Sequence, residues 1–251
     1  MCGVMKKIFK LTLIISVILL LAAGALYLLL PDPREFLTKN PGKTSFMKMR
    51  IRAAKAEGKH LRISHRYISY SEISQDLKDA VRISEDGAFF LHNGFDFAEI
   101  KLSIKANLKK GGFKRGGSTI TQQLAKNLYL SSDKTIRRKL KEAVLTYKLE
   151  QQLPKRRIFE LYLNYIELGK GVFGVETASR IYFHKSAARL TTFESVRLAC
   201  IIPNPRRFSP NRPTRRLKHK SFVLLKRMYK FRKLTRREYG KALAEFRRFF
   251  N

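Results

Sequence analysis

An unbroken apolar run near the N-terminus constrains this chain more than any other feature. Residues 11–30, LTLIISVILLLAAGALYLLL, contain no charged side chain. As a helix rising about 1.5 Å per residue, a run of this length spans roughly 30 Å, the thickness of a bilayer's hydrocarbon core. The apolar part of a cleaved signal peptide is usually only about 7–15 residues long. Residues 23–25, AGA, weakly resemble a cleavage site, but the apolar run continues beyond them, so we interpret it as an uncleaved transmembrane anchor.

The charges that flank the run predict its orientation. Lys6, Lys7 and Lys10 precede it, whereas the charges that follow it directly nearly balance. The positive-inside rule therefore keeps residues 1–10 in the cytoplasm and exports the remainder. The basic sequence downstream is weak counter-evidence, because long domains translocate largely regardless of charge.

The overall charge restricts the partners of the exported part. The 251 residues include 53 Lys+Arg against 19 Asp+Glu, a formal net charge of +34. Such a charge favours anionic partners, which are nucleic acid, an acidic membrane surface or a phosphorylated substrate. A composition with 44% apolar residues has enough of them for a core, so the charge does not indicate disorder. An exported domain meets no genomic DNA, which disfavours nucleic acid.

The remaining sequence predicts a short linker followed by one mainly α-helical domain. Residues 31–66 contain prolines and basic residues and are expected to be partly helical; residues 67–251 form the domain. Thr191 and Glu194 fit a capping box that opens a helix ending before Pro203. Two stripes have helical spacing. Their members are Ile136, Leu140, Ala143, Val144 and Tyr147, and then Ile158, Leu161, Tyr162 and Tyr165.

Two further features leave alternatives open or exclude a site. Residues 212–250 are basic with interspersed apolar residues, and they fit either two solvated helices that close the domain or a face on anionic headgroups. Cys2 and Cys200 lie on opposite sides of the predicted membrane, so no internal disulfide is expected, and Cys200 is expected to be buried. The histidines lack the spacing of zinc ligands, so no metal site is predicted.

The stretch EDGAFFLHNG, residues 85–94, places two carboxylates beside two phenylalanines. In a helix, Glu85, Phe89 and His92 would lie on one stripe, and Gly94 could end that helix. Taken alone, Ser-Glu-Asp is more often a helix start than a catalytic site. A carboxylate packed against phenylalanines can, however, have a raised pKa and act as a general base or acid.

Two later stretches also offer a functional and a structural interpretation. In KRGGSTITQQLAKN, residues 114–127, Thr119 and Gln122 fit a capping box, and the glycine turn before it suits either a phosphate oxygen or an ordinary capped turn. Glu142 follows Arg138 by four residues, which is the spacing of a solvated helical ion pair. SSDK, residues 131–134, matches the Ser-x-x-Lys of transpeptidases, but too little chain follows for that domain.

These stretches together resemble the peptidoglycan glycosyltransferase family in identity, order and spacing. The motifs that carry the resemblance are EDGAFFLHNG, GGSTITQQLAKN, RRKLKE, KRRIFELYLNYIELGKGVFGVETAS and IIPNPRRFSP. The chain is similar to the monofunctional, membrane-anchored members, which carry no transpeptidase domain. The resemblance implies a mainly α, lysozyme-like, two-lobed domain on the periplasmic face of the bacterial inner membrane, with residues 66–120 matching a membrane-dipping region of relatives.

The resemblance also implies a reaction and its residues. In that family the 4-hydroxyl of lipid II attacks the anomeric carbon of the growing glycan strand, and undecaprenyl pyrophosphate leaves. Glu85 matches the general base, and Glu142 matches a second essential glutamate that orients substrate or assists departure of the pyrophosphate. The expected substrate-binding residues are Asp86, Phe89, His92, Gly94, Ser118, Thr119, Gln122, Gln123, Lys126, Lys134 and Arg138.

Lys134 stands where some relatives have arginine, and lysine loses the bidentate geometry that arginine offers a pyrophosphate. A divalent cation, Mg or Mn, is possible at the pyrophosphate, although no cofactor is required by the sequence. Expected partners are lipid II, the nascent glycan strand, membrane lipid and cell-wall synthesis or division proteins. The rival interpretations are a lysozyme-like glycosidase and a non-enzymatic, membrane-tethered basic scaffold.

Overall fold

The computed structural model describes residues 2–109, 112, 116–131, 133 and 135–251, and this part of the chain is mainly helical, as expected. A small sheet has the strand order β1-β3-β2, with β1 parallel and β2 antiparallel to β3. The strands are β1 Ser64–His65, β2 Glu167–Gly169 and β3 Val172–Phe173. The helices are α1 Cys2–Leu29, α2 Ser45–Ala56, α3 Gln75–Glu85, α4 Phe97–Lys109, α5 Ile120–Tyr129, α6 Ile136–Gln152, α7 Lys155–Tyr165, α8 Val175–Phe183, α9 Thr192–Ile201, α10 Arg215–Lys230 and α11 Arg236–Phe250.

Helix α1 contains residues 11–29 of the predicted apolar run. Its segment Phe9–Leu29 is long and apolar enough to cross a membrane. The end of α1 is held by α6, because Lys148 Nζ donates hydrogen bonds to the carbonyls of Tyr27 at 2.9 Å and Leu30 at 2.7 Å. Lys148 also lies 4.5 Å from the centre of the Tyr27 ring. The end of α1 is therefore fixed to the helix that carries Glu142.

Residues 31–66 pack onto the rest of the protein. The segment contains α2 and a short 3-10 helix, Pro33–Leu37, which agrees with the expected partial helicity. Phe36 and Met47 are buried in the core, and Thr44 caps α2 by accepting the Met47 N–H. Arg157 Nε of α7 donates to the Phe36 carbonyl at 2.7 Å. These contacts hold the segment on the domain, and α2 packs beside α5.

The core is built where α5 packs on α7 and α3 packs on α9. Its largest fully buried side chains include Tyr162, Phe159 and Phe89. The predicted capping box of Thr191 opens α9, which ends at Ile201, before Pro203. Pro154 is the N-cap of α7, a position that a proline tolerates because it needs no backbone donor there.

The apolar stripe on α6 predicts the helix correctly, but much of the stripe faces outward. Ile136, Leu140 and Tyr147 are 82%, 57% and 51% exposed. The face that α6 turns inward carries several polar residues. It consists of Glu142, Leu145, Thr146, Lys148 and Leu149.

Helices α10 and α11 close the domain, as one interpretation of the basic C-terminal stretch expects. They pack on each other and on α9, and they bury Leu224, Leu225 and Phe246. Cys200 is buried as predicted, and this burial raises the pKa of its thiol to about 12. A contact of this face with lipid headgroups stays a prediction.

Candidate active site

Glu85 is the last residue of α3, and Asp86 is its C-cap. The interpretation of Ser-Glu-Asp as a helix start is therefore wrong. The continuous stripe expected for Glu85, Phe89 and His92 also does not form, because the chain leaves the helix at Asp86 and enters a 3-10 turn at Phe89–Leu91. A carboxylate at the negative end of a helix dipole is electrostatically unfavourable, so its position favours chemistry over structure.

The Glu85 carboxylate is half-buried and held by α5. Gln123 Nε2 donates to Glu85 Oε2 at 3.0 Å, and Tyr162 Oη donates to Gln123 Oε1 at 3.1 Å. Desolvation raises the pKa of Glu85, while the Gln123 hydrogen bond and the positive charge of Lys220 partly oppose this rise. The arrangement gives a fixed carboxylate with an increased affinity for a proton.

Asp86 has a different task, because its oxygens are already occupied. It is buried, it accepts from the Ile120 backbone N–H at 3.0 Å, and it accepts from His92 Nε2 at 3.0 Å. The Gly94 N–H donates to His92 Nδ1 at 3.2 Å, so the neutral imidazole carries its proton on Nε2. Asp86 and His92 thus hold the start of α5 against the end of α3.

Phe89 and Gly94 complete this support. Phe89 is fully buried, with its ring centre 5.5 Å from that of Phe159. Gly94 has φ +89°, and a Cβ there would lie 2.8 Å from Thr146 Cγ2, so only glycine fits. The Gly94 carbonyl accepts from Thr119 Oγ1 at 2.7 Å. Both residues lie beside the site without lining the cleft.

The predicted capping box at the start of α5 is confirmed. Gln122 N–H donates to Thr119 Oγ1 at 3.2 Å, and Thr119 N–H donates to Gln122 Oε1 at 3.0 Å. Together with the Ile120 N–H on Asp86, these bonds occupy backbone donors that the phosphate interpretation requires. Ser118 is exposed at the edge of the cleft, and residues 114–115 of the motif lie outside the described part.

Glu142 and Lys126 form the second charged centre. Arg138 Nη1 donates to Glu142 Oε2 at 2.6 Å, so the predicted ion pair exists, and Lys139 Nζ binds the other oxygen. The pair is not solvated at its acidic end, because Glu142 is only 3% exposed. Desolvation lowers the pKa of Lys126, and the charge of Glu142 opposes this. Lys134 lies outside the described residues.

Two cavities meet at Glu85. A cleft of about 480 Å³ is lined by Glu85, Asp86, Ser118, Thr119 and Arg227, among others. A cavity of about 350 Å³ shares Glu85 and Arg227 and is also lined by Cys200, His219 and Lys220. Sequence reasoning missed Lys220 and Arg227 because they are two of many cations on α10, and no local pattern distinguishes them.

Asp86, His92 and Asp96 lie within metal-ligand distance of one another, with donor atoms within 4.8 Å. Histidine spacing did not reveal this group. Asp96 Oδ1 accepts the Glu99 N–H at 2.8 Å, and His92 turns an N–H towards Asp86. A protonated nitrogen offers no lone pair to a metal ion, so the group fits hydrogen bonding better than metal ligation.

The chain is similar to known proteins over most of its length. The family model described as Transglycosylase matches residues 54–229. The biosynthetic peptidoglycan transglycosylase of Chromobacterium violaceum is 47% identical over 189 residues, which are 75% of this chain and 83% of the relative. The protein of the same name from Janthinobacterium sp. (strain Marseille) is 40% identical over 225 residues, covering 90% of this chain and 96% of the relative.

A solved structure was also found. The structure of penicillin-binding protein 1A from Haemophilus influenzae has a TM-score of 0.41 and 21% identity, and it covers 72% of this chain and 17% of that one. The family match over most of the chain and the identity to curated relatives along most of their own length are the decisive findings. This chain belongs to the transglycosylase family.

Proposed function

We propose that this protein polymerises lipid II into peptidoglycan glycan strands, with Glu85 as the general base. One observation about Glu85, which lines the cleft, carries the proposal. Its pKa is raised, and among the described residues no cation lies within ion-pair distance of it. No other carboxylate that was assigned a role combines these two properties. Asp86 is engaged by His92 and Ile120, and Glu142 by two cations. Glu85 is therefore available to accept a proton.

The proposed step forms one glycosidic bond and breaks one bond to phosphate. The 4-hydroxyl of lipid II attacks the anomeric carbon of the growing strand while its proton passes to a Glu85 oxygen. Undecaprenyl pyrophosphate leaves with the electron pair of the broken bond. The raised pKa makes Glu85 a stronger base, and Gln123 keeps its carboxylate aimed into the cleft.

The leaving group needs cations rather than an acid, because a diphosphate already stabilises its negative charge. Arg138 and Lys139 are paired with Glu142, and desolvation lowers the pKa of Lys126 while the negative charge of Glu142 opposes this. We assign Lys126 and Arg138 to the pyrophosphate, together with Lys134. A divalent cation at the pyrophosphate stays a prediction.

The membrane location follows from the same scheme, because lipid II is anchored in a bilayer. We propose that α1 spans the inner membrane once, with residues 1–10 in the cytoplasm and the domain on the periplasmic face. Lys148 fixes the end of α1 to α6, the helix of Glu142. The site thereby stays close to the lipid surface, and nascent glycan leaves on the same side.

Hydrolysis is the nearest rival. A glycosidase needs two carboxyl groups about 5–10 Å apart, one of them a proton donor. Asp96 and Glu99 also line the cleft, so the number of carboxylates does not decide the matter. The abundance of cations favours a diphosphate leaving group over a sugar leaving group.

The deciding experiment compares two substrates. The purified full-length protein is incubated with labelled lipid II and, separately, with finished glycan, and the products are resolved on a gel. We expect a ladder of strands from lipid II and no change in the glycan. Release of fragments from glycan, with lipid II intact, would establish the glycosidase instead. Binding of both without conversion, weakened by salt, would establish a basic scaffold.

A further inference from the structure

Arg157 of α7 has a set of contacts that the mechanism above does not use. Its side chain is only 14% exposed. A guanidinium has five N–H donors, and Arg157 forms as many hydrogen bonds. The acceptors are the Phe36 carbonyl at 2.7 Å, the Lys39 carbonyl at 2.8 Å, Asn40 Oδ1 at 2.8 Å, Tyr67 Oη at 2.7 Å and Glu160 Oε1.

The first three acceptors lie in residues 36–41, the segment between the anchor and α2. Phe36 is buried, and its ring centre lies 6.2 Å from that of Tyr129 on α5. Tyr165, also on α7, donates a hydrogen bond to the Pro41 carbonyl. Backbone carbonyls along the segment are therefore bound by α7, and the segment does not behave as a free tether.

The anchor is thereby attached to the domain through two different helices. Lys148 of α6 binds the carbonyls at the end of α1, and Arg157 of α7 binds the segment that follows. A single contact fixes a distance but leaves rotation about that contact free. Contacts on two separate helices also fix the angle at which the anchor meets the domain.

The same guanidinium is connected to the helix of the base. Tyr67 Oη accepts from Arg157 and donates to Glu160. The other Glu160 oxygen accepts from the Tyr70 N–H at 2.7 Å. Both tyrosines precede α3, the helix that ends at Glu85. One side chain therefore contacts the segment after the anchor and the segment that leads into α3.

We propose that Arg157 is a positioning residue that sets the tilt of the catalytic cleft relative to the bilayer. The inference rests on the proposed function and adds a positioning residue to it. Both substrates of the proposed reaction are held in the membrane by prenyl chains, so their sugars reach the cleft only within a narrow range of heights and angles. A fixed tilt raises the fraction of encounters in which the sugar hydroxyl, the anomeric carbon and Glu85 are aligned.

The substitution Arg157→Lys tests this while keeping the positive charge. An ammonium group is a single point with three donors, so it cannot span acceptors in both segments as the planar guanidinium does. The readout is kcat/KM for polymerisation by the full-length protein, with lipid II in bilayer vesicles and again in detergent micelles. We expect a loss of about tenfold in vesicles and almost none in micelles, because a micelle imposes no common plane on the anchor and lipid II.

Arg156→Lys is the matched control. Arg156 is the neighbouring arginine on α7, and its guanidinium lies 4.9 Å from the centre of the Tyr70 ring. Within the part of the chain that the structure describes, no hydrogen bond joins it to residues 36–41. We expect this control to polymerise lipid II at the wild-type rate in both media.

Limited digestion with trypsin measures the segment itself, independently of activity. Arg34, Lys39 and Lys43 are exposed cleavage sites in and beside it. We expect several-fold faster cleavage there in Arg157→Lys and wild-type cleavage in Arg156→Lys. Faster cleavage with an unchanged kcat/KM in vesicles would overturn the inference. Equal losses of kcat/KM in vesicles and micelles would also overturn it, because they would mean that Arg157 serves only the fold.

Failure of the proposed function gives a different result. Wild-type protein that makes no strands in either medium refutes that function, and the tilt is then decided by neutron reflectometry on a supported bilayer, which needs no activity. We expect one sharp protein layer for wild type and a broader one for Arg157→Lys. Identical layers for the two proteins would overturn the positioning role.

Discussion

At the scale of single residues, adjacent carboxylates have opposite roles. Asp86 receives two N–H donors and holds α5 in place, whereas Glu85 keeps an oxygen directed at the cleft and is held by a neutral amide. Sequence resemblance assigned Glu85 but listed Gln123 only as a substrate contact. The structure gives Gln123 a position between Tyr162 and Glu85. That role depends on side chains from three helices, so no local pattern contains it.

The role of Gln123 has a testable pH dependence. Glu85 must be ionised to act as a base, so the polymerisation rate should fall as the pH drops through its raised pKa. The Gln123 hydrogen bond lowers that pKa, so Gln123→Met should raise it further and move the acidic limb of the profile to higher pH. The measurement is initial polymerisation rate against pH.

A structural effect alone gives a different profile. A variant that is only less folded loses rate at every pH, and its acidic limb stays where it was. An unmoved limb in Gln123→Met, with a normal thermal midpoint, would contradict the positioning role.

At the scale of secondary structure, local signals predicted the capped starts of α5 and α9 correctly, whereas the end of α3 at Glu85 was predicted as a helix start. The capping boxes at Thr119 and Thr191 depend on residues three apart, and both were found where expected. The direction in which α6 faces was not predictable from its spacing. Lys148 binds the carbonyls of Tyr27 and Leu30, which are far away in the sequence, and no spacing on α6 reveals these contacts. Glu142 and Thr146 instead find their partners within α6 itself.

The cap of α5 should matter for catalysis as well as for stability. Thr119→Ala removes the acceptor for the Gln122 N–H and the donor to the Gly94 carbonyl. Loss of an N-cap costs about 1 kcal/mol, with a range of roughly 0.5–2. Because α5 carries Gln123 and Lys126, we expect a several-fold loss of polymerisation in addition. Chemical denaturation and initial rates measure the two effects.

Thr235→Ala is the comparison, because Thr235 forms the same capping box on α11, away from the cleft. Thr235 is exposed and its hydroxyl makes only the capping-box bonds, so we expect a smaller loss in the free energy of unfolding and an unchanged rate per folded molecule. Equal loss of rate in both variants would mean that the α5 cap has no special relation to the site.

At the scale of the whole molecule, α6 links the anchor to the site, because it contacts the end of α1 and carries Glu142 and Arg138. The ring of Tyr27 at the end of α1 lies 6.5 Å from that of Tyr147, at one end of the outward stripe on α6. An exposed apolar stripe beside a membrane helix indicates contact with lipid. Apolar periodicity in the sequence does not distinguish a core-facing stripe from one that faces a bilayer, because both bury the same side chains.

Tryptophan fluorescence tests this arrangement, since the chain has no tryptophan of its own. Ile136→Trp places one probe on the exposed stripe. In full-length protein reconstituted into vesicles, we expect blue-shifted emission that brominated lipids quench. Arg137→Trp moves the probe by about 100° around the helix and should be quenched less. Equal quenching, or none at Ile136, would contradict a lipid-facing α6.

The most direct test of the proposed chemistry is the polymerisation rate of Glu85→Gln, measured beside its affinity for lipid II. The amide keeps the shape and can still accept from Gln123, but it cannot take a proton from a sugar hydroxyl. We expect the rate to fall roughly 10²–10⁴-fold, the usual contribution of a general base, with lipid II binding nearly unchanged.

The stability of the variant serves as its control. The pKa of Glu85 is higher in the folded protein than in the unfolded chain. Its protonated form therefore stabilises the fold at low pH, and this contribution is lost as the pH rises through the folded-state pKa. At neutral pH the neutral amide avoids this loss, so the thermal midpoint should equal or exceed that of wild type. A well-folded Glu85→Gln protein that polymerises lipid II at nearly the wild-type rate would contradict the account.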